Sequence, residues 1–201
     1  MSGVLVFVEQ REGRIRNTSL EAVSEARRLA DAGAGTEVTA VVPGSGVADL
    51  EKLGAYGADR VYKVDQKFLG RYQPEGYAQS IVAAKEKSNA QVILVAASAM
   101  GKDLAPRVAA RLAVGLASDC TQLEWKDGGL QATRPVHAGK VIQTVRLTRS
   151  TALATLRPLA FSATEHRPGA SVVVEDLSAA VDSSESRSTV TEIVGLSVAP
   201  G

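Results

Sequence analysis

Four apolar runs in the first half of this chain show almost no polar alternation, and helical stretches separate them. The runs cover residues 3–8, 36–42, 59–64 and 91–97. After the first run, Leu20, Val23, Ala26, Leu29 and Ala30 make one helical stripe. A short helix near 47–53 links the second run to the third, and Pro74 opens a helix carrying Ala78, Ile81 and Val82. Leu104, Val108 and Leu112 mark the helix behind the fourth run. Strands without a polar face must be covered on both sides. The pattern therefore predicts an α/β fold, a mainly parallel three-layer sheet with helices on both faces. Right-handed crossovers then place the turns at Glu9, Pro43, Asp65 and Ser98 on the carboxyl edge. Open sheets of this kind present ligands or partners on that edge.

Local punctuation agrees with this outline. Thr18 or Ser19 is placed to cap the first helix, and Gly33 or Gly35 to end it. Beyond Gly115 the period changes to two: Thr121, Leu123 and Trp125 alternate with polar residues ahead of a hairpin turn at 126–129. Strands over 130–137, 140–148 and 151–156 complete an expected antiparallel β section that extends the parallel sheet. Residues 172–174 and 190–194 read as late edge strands, and 182–188 as a polar, flexible loop. The α/β domain is expected over 1–195, and 196–201 read as the start of a linker.

Composition narrows the function. Twenty-three Lys and Arg against 22 Asp and Glu leave a formal charge of +1, which argues against nucleic acid held by bulk charge. One cysteine, Cys120, excludes an internal disulfide and fits a reducing compartment. Residues 4–8 are too short for a signal core, and no run approaches a membrane span. A cytoplasmic protein without membrane insertion is expected.

The turn after the fourth run holds the strongest local signal: Ser98, Met100, Gly101, Lys102 and Asp103 at a helix start. Free N–H groups, the helix dipole and Lys102 suit an anion. The dipole, however, contributes only about 0.3–1 kcal/mol, against the roughly 8 kcal/mol of micromolar binding. Gly101 stands alone there, so neither phosphate-loop glycine pattern is met. The loop reads first as a turn with Asp103 capping, Pro106 in the first helical turn and Lys102 solvated, then as a contact loop for a partner, and last as a nucleotide site. Arg107 and Arg111 read as an exposed ion-pairing face. Arg134 and Arg157 each precede a proline at a strand end, placed either to bridge acidic groups of another subunit or to satisfy loop carbonyls. His137 and His166 have no metal-ligand spacing, and no nucleophile pairs with a base. From the residues alone, the chain is an α/β binding or assembly module with no catalytic set.

Three blocks carry more: Ser98-Ala-Met-Gly-Lys-Asp-Leu-Ala-Pro-Arg-Val-Ala-Ala-Arg-Leu112, Thr133-Arg-Pro-Val-His-Ala-Gly-Lys140 and Thr155-Leu-Arg-Pro-Leu-Ala-Phe161. With the strand that opens the chain, their order and spacing resemble the N-terminal domain of the electron-transferring flavoprotein α subunit, over essentially all 201 residues. The resemblance implies an adenine-nucleotide-hydrolase-like fold acting as scaffold within a heterodimer. In that family the α subunit joins a β subunit that holds AMP, and the complex carries FAD. Electrons arrive from acyl-CoA and related dehydrogenases and leave to a quinone oxidoreductase or another acceptor. The flavin sits mostly in a second α-subunit domain whose Ser-Gly-Gly-Arg-Gly opening does not occur here. No FAD-contacting residue is therefore expected in this stretch. The Ser98–Asp103 turn would be a vestigial nucleotide-like or partner-contact loop, and Arg134 and Arg157 interface arginines. The alternative is an adenine-nucleotide-binding sensor of related fold that uses the same loop.

Overall fold

The computed structural model describes residues 3–194. Strand β1 (Gly3–Phe7) leads into a hairpin of two short strands, β2 (Gln10–Arg11) and β3 (Arg14–Ile15), and then into helix α1 (Asn17–Leu29). There follow β4 (Glu37–Gly44), the single turn α2 (Lys52–Ala55), β5 (Arg60–Asp65), α3 (Pro74–Ser88), β6 (Ala90–Ala96) and α4 (Ala99–Leu112). The second half holds β7 (Leu116–Cys120), β8 (Gln122–Lys126), β9 (Gly129–Val136), β10 (Val141–Leu147), β11 (Ala152–Leu156) and β12 (Val173–Asp176).

Seven strands form one parallel sheet in the order β12-β5-β4-β1-β6-β11-β7. All five residues of β1 are buried, as a strand covered on both faces requires. Val4, Val6 and Val8 face Ala22, Val23, Ala26 and Leu29 of α1. Leu5 and Phe7 face Tyr77 and Ile81 of α3 and Leu104 and Val108 of α4. Two apolar cores thus sandwich the sheet. The order reverses between β1 and β6, since β4 and β5 build outward on one side and β6 begins the other. That reversal opens a crevice at the carboxyl ends of β1 and β6.

The antiparallel section differs from the expected extension. Strands β8, β9 and β10 form a separate three-stranded sheet, its first turn fixed by positive φ at Asp127 and Gly128. Leu123, Leu130 and Ala132 plug it into the α1-side core. Strand β11 joins the main sheet in parallel, inserted between β6 and β7. Its run Ala-Leu-Ala-Thr-Leu is buried at every position, the signature of an interior parallel strand. Beyond Thr133, β9 pairs with β10 alone, so the outer ends of these two strands project as a ribbon with Val141 and Ile142 exposed.

Of the two late edge strands, residues 173–176 pair with β5, whereas 190–194 make no strand. β12 already occupies that edge, and the Arg71 guanidinium takes the carbonyls of Val190 and Thr191 (3.2 and 3.1 Å). Nor is 182–188 free. Gln79 exchanges hydrogen bonds with Asp182 and Glu185, and Gln73 holds Ser186 and Ser188. The linker expected at 196–201 lies outside the described residues. No described helix is long and apolar enough to cross a membrane.

Candidate functional site

The crevice between β1 and β6 is built from the first residues after each strand. Glu9 follows β1, and its main-chain N–H donates to the Ser19 hydroxyl (2.8 Å), which returns a bond to the Glu9 carbonyl (3.1 Å). Ser19 therefore ties α1 to the strand end instead of capping the helix. The position before α1 is Arg16, which makes no side-chain cap. Gln10, buried at the crevice floor, donates to the Tyr77 hydroxyl (3.0 Å), and that hydroxyl donates to the Leu69 carbonyl (3.0 Å). Burial pushes the Tyr77 phenol up to about 12.

On the β6 side, Ser98 is the N-cap of α4 and accepts the Gly101 N–H (3.0 Å). Its hydroxyl donates to the Glu9 carboxylate, which spans the crevice from the opposite strand. Gly101 is buried where a Cβ would come within 1.8 Å of the Ala96 carbonyl, so the helix meets its strand at a distance only glycine permits. Met100 packs into the α3–α4 core, and Lys102 is exposed. Asp103 does not cap. It sits in the first turns of α4, where it accepts the Tyr72 hydroxyl (2.6 Å) and pairs with Arg107 (3.2 Å). Those two bonds, the tyrosine's first, hold its carboxyl below the usual range. Burial, then the Asp103 bond, raises Tyr72. Pro106 lies inside the helix, not in its first turn, and removes the N–H that would bond the Lys102 carbonyl. Arg107 and Arg111 both reach carboxylates, Asp103 and Glu185.

Arg134 and Arg157 converge on the end of β7. Arg157 forks onto both oxygens of Asp119 (3.2 and 2.6 Å), and Arg134 donates to the Ser118 hydroxyl (2.7 Å) and Gln143 (3.2 Å). Asp119 has a positive φ of 58°, and its N–H is taken by Thr155 (2.8 Å). The Arg157 bond, then its charge and that of Lys102, hold the Asp119 carboxyl below the usual carboxylate range. Lys102, Pro106, Ser118, Asp119 and Thr155 line a cavity of about 180 Å³ that joins this pair to the Ser98 loop. Cys120, next in the strand, is buried, and burial lifts its thiol to about 11. Among the described residues no three of His, Cys, Asp and Glu lie together as a metal set.

The five loop residues are thus contiguous, and the two arginines lie beside them. Glu9, Gln10, Tyr72 and Asp119 complete the constellation; the sequence placed Glu9 on this edge as a turn residue, and the other three were not singled out. The arrangement holds ion pairs, one helix cap and two hydroxyl–carboxylate bonds, Ser98 to Glu9 and Tyr72 to Asp103.

Comparison with known proteins follows the same line. The family described as electron transfer flavoprotein domain matches residues 4–182. The chain is 37% identical over 195 residues to protein FixB of Clostridium saccharobutylicum, covering 96% of this chain and 58% of that protein. It is 41% identical over 158 residues to the electron transfer flavoprotein subunit alpha of Thermoanaerobacterium thermosaccharolyticum, covering 77% and 48%. It is 34% identical over 181 residues to the acryloyl-CoA reductase electron transfer subunit beta of Anaerotignum propionicum, covering 77% and 49%. The chain spans about half the length of these curated relatives. With nearly all of the parallel sheet and its flanking helices inside the matched stretch, the chain belongs to the electron transfer flavoprotein family and aligns with its alpha-subunit members.

Proposed function

We propose that this chain is the non-catalytic N-terminal scaffold of an electron transfer flavoprotein alpha subunit, with a domain boundary at residue 195. It docks with a beta subunit to make a cytoplasmic heterodimer that carries FAD, with AMP in the beta subunit. The complex takes electrons from acyl-CoA and related dehydrogenases and passes them to a quinone oxidoreductase or another acceptor. When bound, FAD supplies all the redox chemistry. This stretch holds the partners in place.

The observation that carries this reading is the filled crevice. Where an open α/β sheet takes a phosphate, the Glu9 carboxylate already lies against the Ser98 hydroxyl, and Ser98 satisfies the Gly101 N–H. A second anion there would face carboxylate repulsion at hydrogen-bonding range. The residues of this crevice do not fit a flavin pyrophosphate, which supports placing FAD elsewhere in the subunit. The Ser98–Asp103 turn then works as a braced contact loop, with Arg134 and Arg157 stiffening the neighbouring strand end. Val141 and Ile142, 48% and 64% exposed on the projecting ribbon, supply apolar surface for a subunit interface. An obligate interface of this kind buries on the order of 2,000 Å² or more.

Co-expression with a beta subunit, followed by a visible spectrum of the complex and of this domain alone, tests the reading. A heterodimer with a colourless isolated domain is expected. Stoichiometric flavin on the domain alone overturns it. Calorimetry with AMP and ATP addresses the rival nucleotide sensor, whose support is the strand–turn–helix at the sheet reversal. Heat at submillimolar nucleotide would put that reading first.

A further inference from the structure

Three arginines near the start of the chain stand together, without carboxylate partners among the described residues. In the β2–β3 hairpin, Gln10 pairs with Ile15 and Arg11 with Arg14. Period-two alternation sends Gln10 to its buried bond with Tyr77 and Ile15 against the core, so Arg11, Arg14 and the still-extended Arg16 share the outer face. Among the described residues, none of the three enters an ion pair or donates a side-chain hydrogen bond. Arg27, Arg28, Arg60, Arg107, Arg111, Arg157 and Arg167 all reach carboxylates.

Each local choice here is electrostatically unfavourable in the isolated chain, and all have one sign. Like charges sit directly opposite across the Arg11–Arg14 pair. Arg16 occupies the N-cap of α1, at the positive end of the dipole, and the first turn of α1 has no acidic residue. By contrast, α3 carries Glu75 in its first turn and α4 has its Ser98 cap. Three arginines against Glu12 concentrate +2 on residues 10–16 of a chain whose total is +1. The arginines, with Glu12, Asn17 and Thr18, line a groove of about 460 Å³ in which Ile15 is the sole aliphatic wall and Glu12 the single carboxylate against three guanidinium groups.

We infer that this hairpin face is a docking surface for the acidic face of another protein, which supplies clustered Asp and Glu carboxylates. The choice of occupant follows from the spacing and the lining. Arg14 and Arg16 are two residues apart along an extended chain, roughly 7 Å. Arg11 lies across the strand pair from Arg14, and Arg16 follows two residues along, so the three side chains start from separate points on the face and each can match a separate carboxylate. A nucleotide would need an aromatic or broad apolar wall for its base, and this groove offers Ile15 alone. The inference stands apart from the flavoprotein reading and does not depend on it.

The test is fluorescence anisotropy of a labelled hexaglutamate peptide titrated with the full-length protein at low ionic strength. Arg11→Gln/Arg14→Gln/Arg16→Gln should weaken binding by about tenfold, the range of three exposed ion pairs. Lys85→Gln/Lys126→Gln/Lys140→Gln removes the same charge elsewhere and should stay within roughly twofold. If the glutamine triple misfolds, Arg11→Glu/Arg14→Glu/Arg16→Glu serves instead, and should bind labelled hexalysine in place of hexaglutamate. Equal losses in the arginine and lysine triples, no peptide binding by the unaltered protein, or tripolyphosphate bound more tightly than the peptide would each overturn the inference.

Discussion

Helices α1 and α4 both begin on the carboxyl edge of the same parallel sheet, one behind β1 and the other behind β6, and they are finished in opposite ways. At α4 a serine caps the first turn, a carboxylate from the neighbouring strand end closes over the serine, and a glycine lets the helix touch its strand. At α1 the cap position is an arginine, the first turn has no acid, and the residues ahead add two more arginines with no ion pair among the described residues. A terminus that satisfies its own N–H groups has little left to offer a ligand. A terminus left electropositive keeps its field for something outside the chain. By this comparison, the segment most like a nucleotide loop in sequence is spent internally, and the binding capacity of the edge lies at the hairpin.

The strongest way to break the comparison is at Gly101. A methyl group there meets the Ala96 carbonyl at 1.8 Å, and the obstacle is backbone, which cannot swing aside. Gly101→Ala should cost about 3 kcal/mol or more, the upper end of overpacking, read as a lowered urea midpoint. An unchanged midpoint would mean that α4 is not seated on β6 as described.

A smaller test exchanges the two caps. Ser98→Ala removes the bond to Gly101 and strands the Glu9 carboxylate, so a loss of about 1 kcal/mol is expected. Arg16→Ser should do the reverse, stabilising by about 0.5–1 kcal/mol as a cap is created and a cation leaves the dipole end. Thermal melts of the two variants should therefore move in opposite directions. If both fall, Arg16 has a packing role in the folded chain and α1 is not the unfinished helix described here.

Much of this frame could be read from the residues, because burial on two faces writes itself into a strand as an unbroken apolar run. That reasoning identified β1, β4, β5 and β6, and Asp127-Gly128 announced the β8–β9 hairpin. It overlooked β7, whose Leu-Ala-Ser-Asp-Cys is interrupted by polar residues and held in place by Arg134 and Arg157 from distant strands. It set β11 among antiparallel strands, since an apolar pentapeptide does not say which neighbours it will have. Within the site the contiguous turn Ser98–Asp103 was legible. Its closing partner Glu9 was not, because a contact between residues 89 positions apart depends on the sheet order. The tail at 182–188 looked free for its polarity, yet polarity is what lets Gln73 and Gln79 hold it.

The smallest effect expected concerns Asp103, the one carboxylate within α4. Asp103 is depressed in the folded state, first by the Tyr72 hydroxyl and then by Arg107, relative to about 3.9 in an unfolded chain. Near neutral pH both states are ionised and the stabilisation is complete. As pH falls below the unfolded value the unfolded chain binds the proton first, and the contribution is lost as pH drops through the folded value. The side chain is 43% exposed, so solvent screening keeps the effect below about 1 kcal/mol. Tyr72→Phe removes the larger cause and should flatten the acid limb of a plot of melting temperature against pH, with little change in its slope near neutrality. A limb as steep as that of the unaltered protein would shift the acid sensitivity of this edge to Asp119 and its fork with Arg157, and so away from the α4 start to the end of β7.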